Sequence, residues 1–133
     1  LGMWYARVYS LPELGFGHPA GAPAAWPEFA AAAPADAREF VATNLPGHVA
    51  WYGKRRAVLL PAGEDEFERL RALIPVGPVL ISTLPAGQVT DMPYWLLLLR
   101  ERAATDRFCA RFGYRIAHAS AQALVLVPDK PRT

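Results

Sequence analysis

The sequence predicts an α/β domain: a small three-layer sheet, mainly of parallel strands, with a C-terminal antiparallel hairpin. Three short apolar runs lack polar alternation: Phe40–Thr43, Ala57–Leu60 and Val79–Ser82. Strands that read this way are buried on both faces, as parallel strands covered by helices are. Helical segments separate the three runs, which is the order of parallel crossover units. Two further runs, Tyr114–Ser120 and Ala123–Val127, flank a tight turn and predict an antiparallel pair. The right-handed crossover rule then leaves few topologies open.

The elements follow in order. Residues 1–35 are rich in proline and glycine, hold no sustained period, and predict an irregular arm, with a short helix around Trp26–Ala33. The arm is aromatic: Trp4, Tyr5, Tyr9, Phe16 and Trp26. Packing onto the domain suits Phe16 and Trp26, and a membrane interface suits the amphipathic rings of Trp4 and Tyr5. Residues 36–133 form a single α/β domain. After the first strand, Asn44 is a cap-like residue and Pro46 suits a first helical turn. That helix is expected to stop at Gly53. After the second strand and Pro61, Glu64, Asp65 and Glu66 load negative charge onto a helix start, which the macrodipole favours. Phe67, Leu70, Leu73 and Ile74 recur at helical spacing and predict one apolar face, ended by Pro75. Beyond the third strand, Asp91 is expected to cap a helix running to about Arg102. Thr105 or Asp106 is expected to cap another that ends at Gly113. In the hairpin, alternation places Tyr114, Ile116 and His118 on one face.

Composition narrows the function classes. The chain of 133 residues fits one domain and carries 14 basic and 12 acidic residues, for a net charge of +2. That balance argues against a nucleic-acid partner, which needs a concentrated basic face. Hydrophobic residues make up 53% and charged ones 20%, which argues against overall disorder. The longest apolar run, Tyr94–Leu99, is far too short to span a bilayer. The alanine run Ala30–Ala33 is bracketed by Pro27 and Pro34. No basic-then-apolar leader opens the chain, and its start at Leu1 suggests a piece of a longer protein.

Few residues suggest chemistry. His18, His48 and His118 lack metal-ligand spacing to one another or to Cys109, so no metal and no cofactor are expected. Cys109 lies between Phe108 and Phe112 on an expected helix and reads as a buried, inert thiol. Gly15-Phe16-Gly17 follows no strand and does not continue as a dinucleotide fingerprint, and no phosphate-binding loop or nucleophile elbow is present. Adjacent Glu64, Asp65 and Glu66 read as a solvated helix start rather than a catalytic pair. No catalytic residue is expected. One cluster remains: Asn44, His48, Trp51, Tyr52, Arg55 and Arg56, with Lys54. It begins where the first strand meets its helix, the end at which open α/β sheets bind ligands. Its basic residues suit a phosphorylated ligand. A basic turn that complements a helix C-terminus is the plainer reading of them.

The same stretch resembles a recurring passage in bacterial membrane glycosyltransferases. The residues that carry it are Val41-Ala42-Thr43-Asn44-Leu45-Pro46, Val49-Ala50-Trp51-Tyr52-Gly53-Lys54-Arg55 and Ala57-Val58-Leu59-Leu60-Pro61. The family comprises multi-spanning enzymes of the dolichyl-phosphate-mannose protein mannosyltransferase and aminoarabinose transferase type. Its pattern is a strand, an Asn-x-Pro turn, an aromatic helix end with a Gly-Arg step, and a second strand closed by proline. The resemblance extends loosely over residues 36–127, to Val79–Ser82 and Tyr114-Arg115-Ile116. Here glycine precedes Lys54-Arg55, where the family pattern has a Thr-Gly-Arg step. The resemblance implies a soluble extracytoplasmic domain after the last membrane span, an accessory to transfer of a sugar from a polyprenyl-phosphate donor. The catalytic carboxylate then lies in the membrane portion, and nothing in this chain corresponds to it. The implied partners are the membrane portion of the same polypeptide and a lipid-linked sugar or acceptor. Two other readings stand beside it: a free-standing module for a small anionic ligand, and a structural interaction domain.

Overall fold

A computed structural model describes residues 8–9, 29, 33, 36, 38–83 and 92–129. The helix expected around Trp26–Ala33 falls mostly outside these residues, as do Trp4, Tyr5, Phe16, Trp26 and Asp91. Six strands form one sheet in the order β1-β3-β2-β4-β6-β5. They are β1 (Val8–Tyr9), β2 (Phe40–Thr43), β3 (Ala57–Leu59), β4 (Val76–Ser82), β5 (Tyr114–Ala119) and β6 (Ala123–Pro128). β2 is parallel to both β3 and β4, and β4–β6 and β6–β5 are antiparallel. The expected α/β architecture is therefore present, with three parallel strands and a terminal hairpin. Val8–Tyr9 adds a short antiparallel edge on β3.

Helices cover both faces. α1 (Pro46–Gly53) joins β2 to β3, and α2 (Glu64–Leu73) joins β3 to β4. α3 (Pro93–Arg100) and α4 (Arg102–Phe112) precede the hairpin. One face packs Ala42, Val58, Val79, Ile81, Leu124 and Leu126 against Phe67 and Leu70 of α2, Trp95 and Leu98 of α3, and Phe108 and Phe112 of α4. The other packs Val41, Ala57, Leu80, Val125 and Val127 against Val49 of α1, together with Phe29 and Ala33. This two-sided burial explains why the parallel strands read as continuous apolar runs. Rings dominate the larger core: Phe67 lies 5.1–5.6 Å from Trp95, Phe108 and Phe112, centroid to centroid. Such offset and edge contacts each add about 1 kcal/mol beyond the area buried.

Local details depart from the sequence pattern for identifiable reasons. β4 begins at Val76, ahead of the expected Val79, because the ladder slips between Phe40↔Val76 and Ala42↔Val79. The slip absorbs Pro78, which has no N–H to donate. Leu73 is 67% exposed and does not share the face of Phe67 and Leu70. Six residues beyond Phe67, it is rotated about 120° away. The residue in left-handed conformation after α1 is Lys54, φ 53°, while Gly53 closes the helix itself. α3 and α4 meet at one extended residue, Glu101, so the second helix begins earlier than expected. Thr105 caps nothing: its buried hydroxyl donates to Leu98 O at 2.6 Å and seals the corner. Asp106 accepts from Arg102 at 3.0 Å. A bulge between Ile116 and His118 puts His118 opposite Val125, on the face away from Tyr114 and Ile116.

Candidate functional site

The chain leaves β2 in one direction to reach β3 and later returns past β2 to form β4. The carboxyl ends of β2 and β4 therefore flank the point where strand order reverses, the usual position of a ligand crevice. Here Asn44 occupies that point. It is 1% exposed. Its Nδ2 donates to Ser82 O at 2.7 Å, and its Oδ1 accepts from Ser82 N at 3.0 Å. Both ends of the amide thus serve the backbone of β4. The helix cap expected of Asn44 is absent: the N-cap residue is Leu45, whose own N–H donates to Thr43 Oγ1 at 3.1 Å. On the far side of β4, Thr83 donates through its N–H to Gln122 O at 2.8 Å. The crevice is bridged by protein atoms.

Arg55 and Arg56 lie at the opposite end of the parallel strands. α1 has eight residues between the end of β2 and this basic turn, which spans about 12 Å. Backbone pairing puts Arg56 beside the start of β2, where its O accepts from Val41 N at 2.9 Å. Its guanidinium stands 4.7 Å from the Phe40 ring centroid. Arg55 is half-buried; its Nη1 donates to Ala33 O at 2.7 Å, and its guanidinium lies 5.5 Å from the Phe29 ring. Burial pushes its pKa down, opposed by the carboxylates of Glu39 and Asp36. Its Nε and Nη2 have no hydrogen-bond partner among the described residues. His48 and Trp51 are half-buried on α1 between the two strand ends. Tyr52 is part of α1, and its side chain lies outside the described residues. The six candidates are therefore strung along one strand–helix–strand unit, not gathered into a pocket.

A polar network that the sequence did not single out joins three helices. Tyr94 Oη donates to Glu64 Oε2 at 2.7 Å, and Arg111 Nη1 donates to Glu64 Oε1 at 2.7 Å. Arg111 also reaches Asp65 at 3.4 Å and Glu68 at 3.6 Å. The Tyr94 hydrogen bond, aided by Arg111, holds the Glu64 carboxyl below its ordinary range. Burial, then the Glu64 hydrogen bond, pushes the Tyr94 phenol well above its usual value. A carboxylate held ionised by two donors is a poor general acid, and a phenol so raised is a poor base. The network ties α2, α3 and α4 together. The sequence signal available was the acidic triplet at a helix start; its partners, 30 and 47 residues away, carried none.

Cys109 is half-buried on α4, and burial pushes its thiol pKa up, away from nucleophilic use. Among the described residues, no group of three or more His, Cys, Asp or Glu could hold a metal ion. No helix of the described residues is long and apolar enough to cross a membrane. No protein-family model, curated protein or solved structure matches the chain.

Proposed function

We propose that the chain is an accessory extracytoplasmic domain of a polytopic membrane glycosyltransferase that transfers a sugar from a polyprenyl-phosphate donor. In this reading catalysis belongs to the membrane portion of the same polypeptide. One observation carries it: the family-like passage, Val41–Pro61, coincides with a complete β2–α1–β3 unit whose polar residues hold the fold. Asn44 is engaged by Ser82, and Arg55 by Ala33 O. Lys54 takes the left-handed position at the helix end, the place where the family pattern has glycine. A passage used in this way is a folding signature, which suits a domain with no reaction of its own. The alternative, a free-standing module for a phosphorylated ligand, loses its main support with Asn44 and the arginines at opposite ends of the strands.

The test is fractionation of the full-length native product, detected through this domain. Retention in the membrane pellet after an alkaline wash is expected. Release into the soluble fraction would overturn the proposal.

A further inference from the structure

A second feature lies apart from the β2–α1–β3 unit and does not depend on the reading above. At the α3–α4 corner, a cleft of about 280 Å³ opens between the helices and the β5–β6 turn. Its floor is apolar: Leu98 and Leu124 are buried, and Ile116 is half-buried. The charged residues lining it are Arg100 and Arg102, both exposed. Arg102 already pairs with Asp106 at 3.0 Å, with side chains 72% and 60% exposed. An ion pair so open to water is weak and leaves the guanidinium able to share a second anion. Arg100 has no carboxylate partner among the described residues. The first turn of α4 beside the cleft holds no acidic residue, and the N-cap Glu101 makes no side-chain capping bond. The N-terminus of α4 meets the C-terminus of α3 at Glu101, so the two helix ends offset each other and the positive charge lining the cleft is that of the two arginines.

An apolar floor under a cationic rim fits one ligand chemistry. We propose that this cleft binds a dissolved amphiphilic anion, a carboxylate or phosphate head on a short apolar chain. The head sits between Arg100 and Arg102, and the chain lies over Leu98, Ile116 and Leu124. At about 30 Å³ per non-hydrogen atom, the volume suits a ligand of roughly nine or ten such atoms. That is smaller than the space a drug-sized ligand fills.

The test is an NMR titration of the full chain with octanoate and pentyl phosphate, kept below micelle formation. Saturable shifts confined to residues 98–105 and 116–124 are expected. Octanol, which lacks the head, and inorganic phosphate, which lacks the chain, are each expected to bind at least about tenfold more weakly. The double variant R100Q/R102Q is expected to weaken octanoate binding by about tenfold or more. R115Q, which removes an exposed arginine on the other face of the sheet, is expected to leave it unchanged. Equal binding of octanol and octanoate, shifts centred elsewhere, or an unaffected R100Q/R102Q protein that retains the parent spectrum would each overturn the proposal. So would binding to phosphatidylglycerol vesicles without binding to monomeric octanoate.

Discussion

Replacing Asn44 tests whether the end of β2 is a clamp. Asn44→Ala removes both partners of the Ser82 peptide, its acceptor for N–H and its donor to C=O. Each orphaned buried group costs about 1–3 kcal/mol. With the small cavity added, a total of roughly 3–5 kcal/mol is expected. Domains of this size have about 5–15 kcal/mol in hand, so the variant should still fold, with Tm lowered by roughly 10–15 °C. Asn44→Asp is the sharper perturbation. One oxygen can still accept from Ser82 N, but the other now faces Ser82 O. Burial and that carbonyl disfavour the charged form, so the folded-state pKa of the new carboxyl lies above its unfolded value of about 3.9. A raised pKa contributes stability that is fully present below the unfolded value and is lost as pH rises through the folded one. The protonated acid can donate to Ser82 O, so the deficit against the parent should shrink in acid and widen toward neutrality. Urea unfolding across that range reads both effects. An Asn44→Ala protein within about 1 kcal/mol of the parent, or an Asn44→Asp protein with the parent's pH dependence, would refute the clamp.

Glu64 carries the opposite sign. Its folded pKa is depressed by Tyr94 and Arg111, so its contribution is present above the unfolded carboxyl range and is lost as pH falls through the folded value. Acid unfolding followed by circular dichroism should show the parent losing stability over that window and Glu64→Gln responding less. Lys54→Gly should stabilise the chain by roughly 0.5–1 kcal/mol, because a left-handed residue with a Cβ costs about 1–2 kcal/mol and glycine gives part of that back in chain entropy. Lys54→Ala, which keeps a Cβ at that position, should stay near the parent by the same denaturation assay. Thr105→Val keeps the shape of the buried side chain but leaves Leu98 O without its 2.6 Å donor. A loss of about 1–2 kcal/mol is expected in chemical unfolding.

The parallel strands were legible because burial on both faces removes polar alternation, and the hairpin because its two runs flank a short turn. What stayed hidden depends on partners distant in sequence. Asn44 has the composition and position of a helix cap, yet its amide is claimed by Ser82, 38 residues on. Thr105 likewise reads as a cap and serves instead as a donor to the preceding helix. His118 followed the alternation of its strand until one bulge turned it to the other face. The errors at Asn44 and Thr105 have the same physical origin. Short polar side chains satisfy whichever backbone group the packing presents, and local pattern does not say which that will be.

The candidate ligand residues are spread along the chain for a geometric reason. Residues close in sequence on either side of a helix are kept a helix length apart, so strand-end chemistry and helix-end chemistry lie at opposite ends of the parallel strands. Asn44 lies at the strand end where ligands bind such sheets, and Arg55 and Arg56 at the other. The same geometry gives each motif residue a distinct mechanical task. Asn44 ties β2 to β4, Pro46 starts α1, Lys54 turns the chain out of it, and Arg55 reaches back to Ala33. A motif distributed in this way constrains how a strand–helix–strand unit closes. The α3–α4 corner lies outside that unit, and its two arginines owe nothing to the motif.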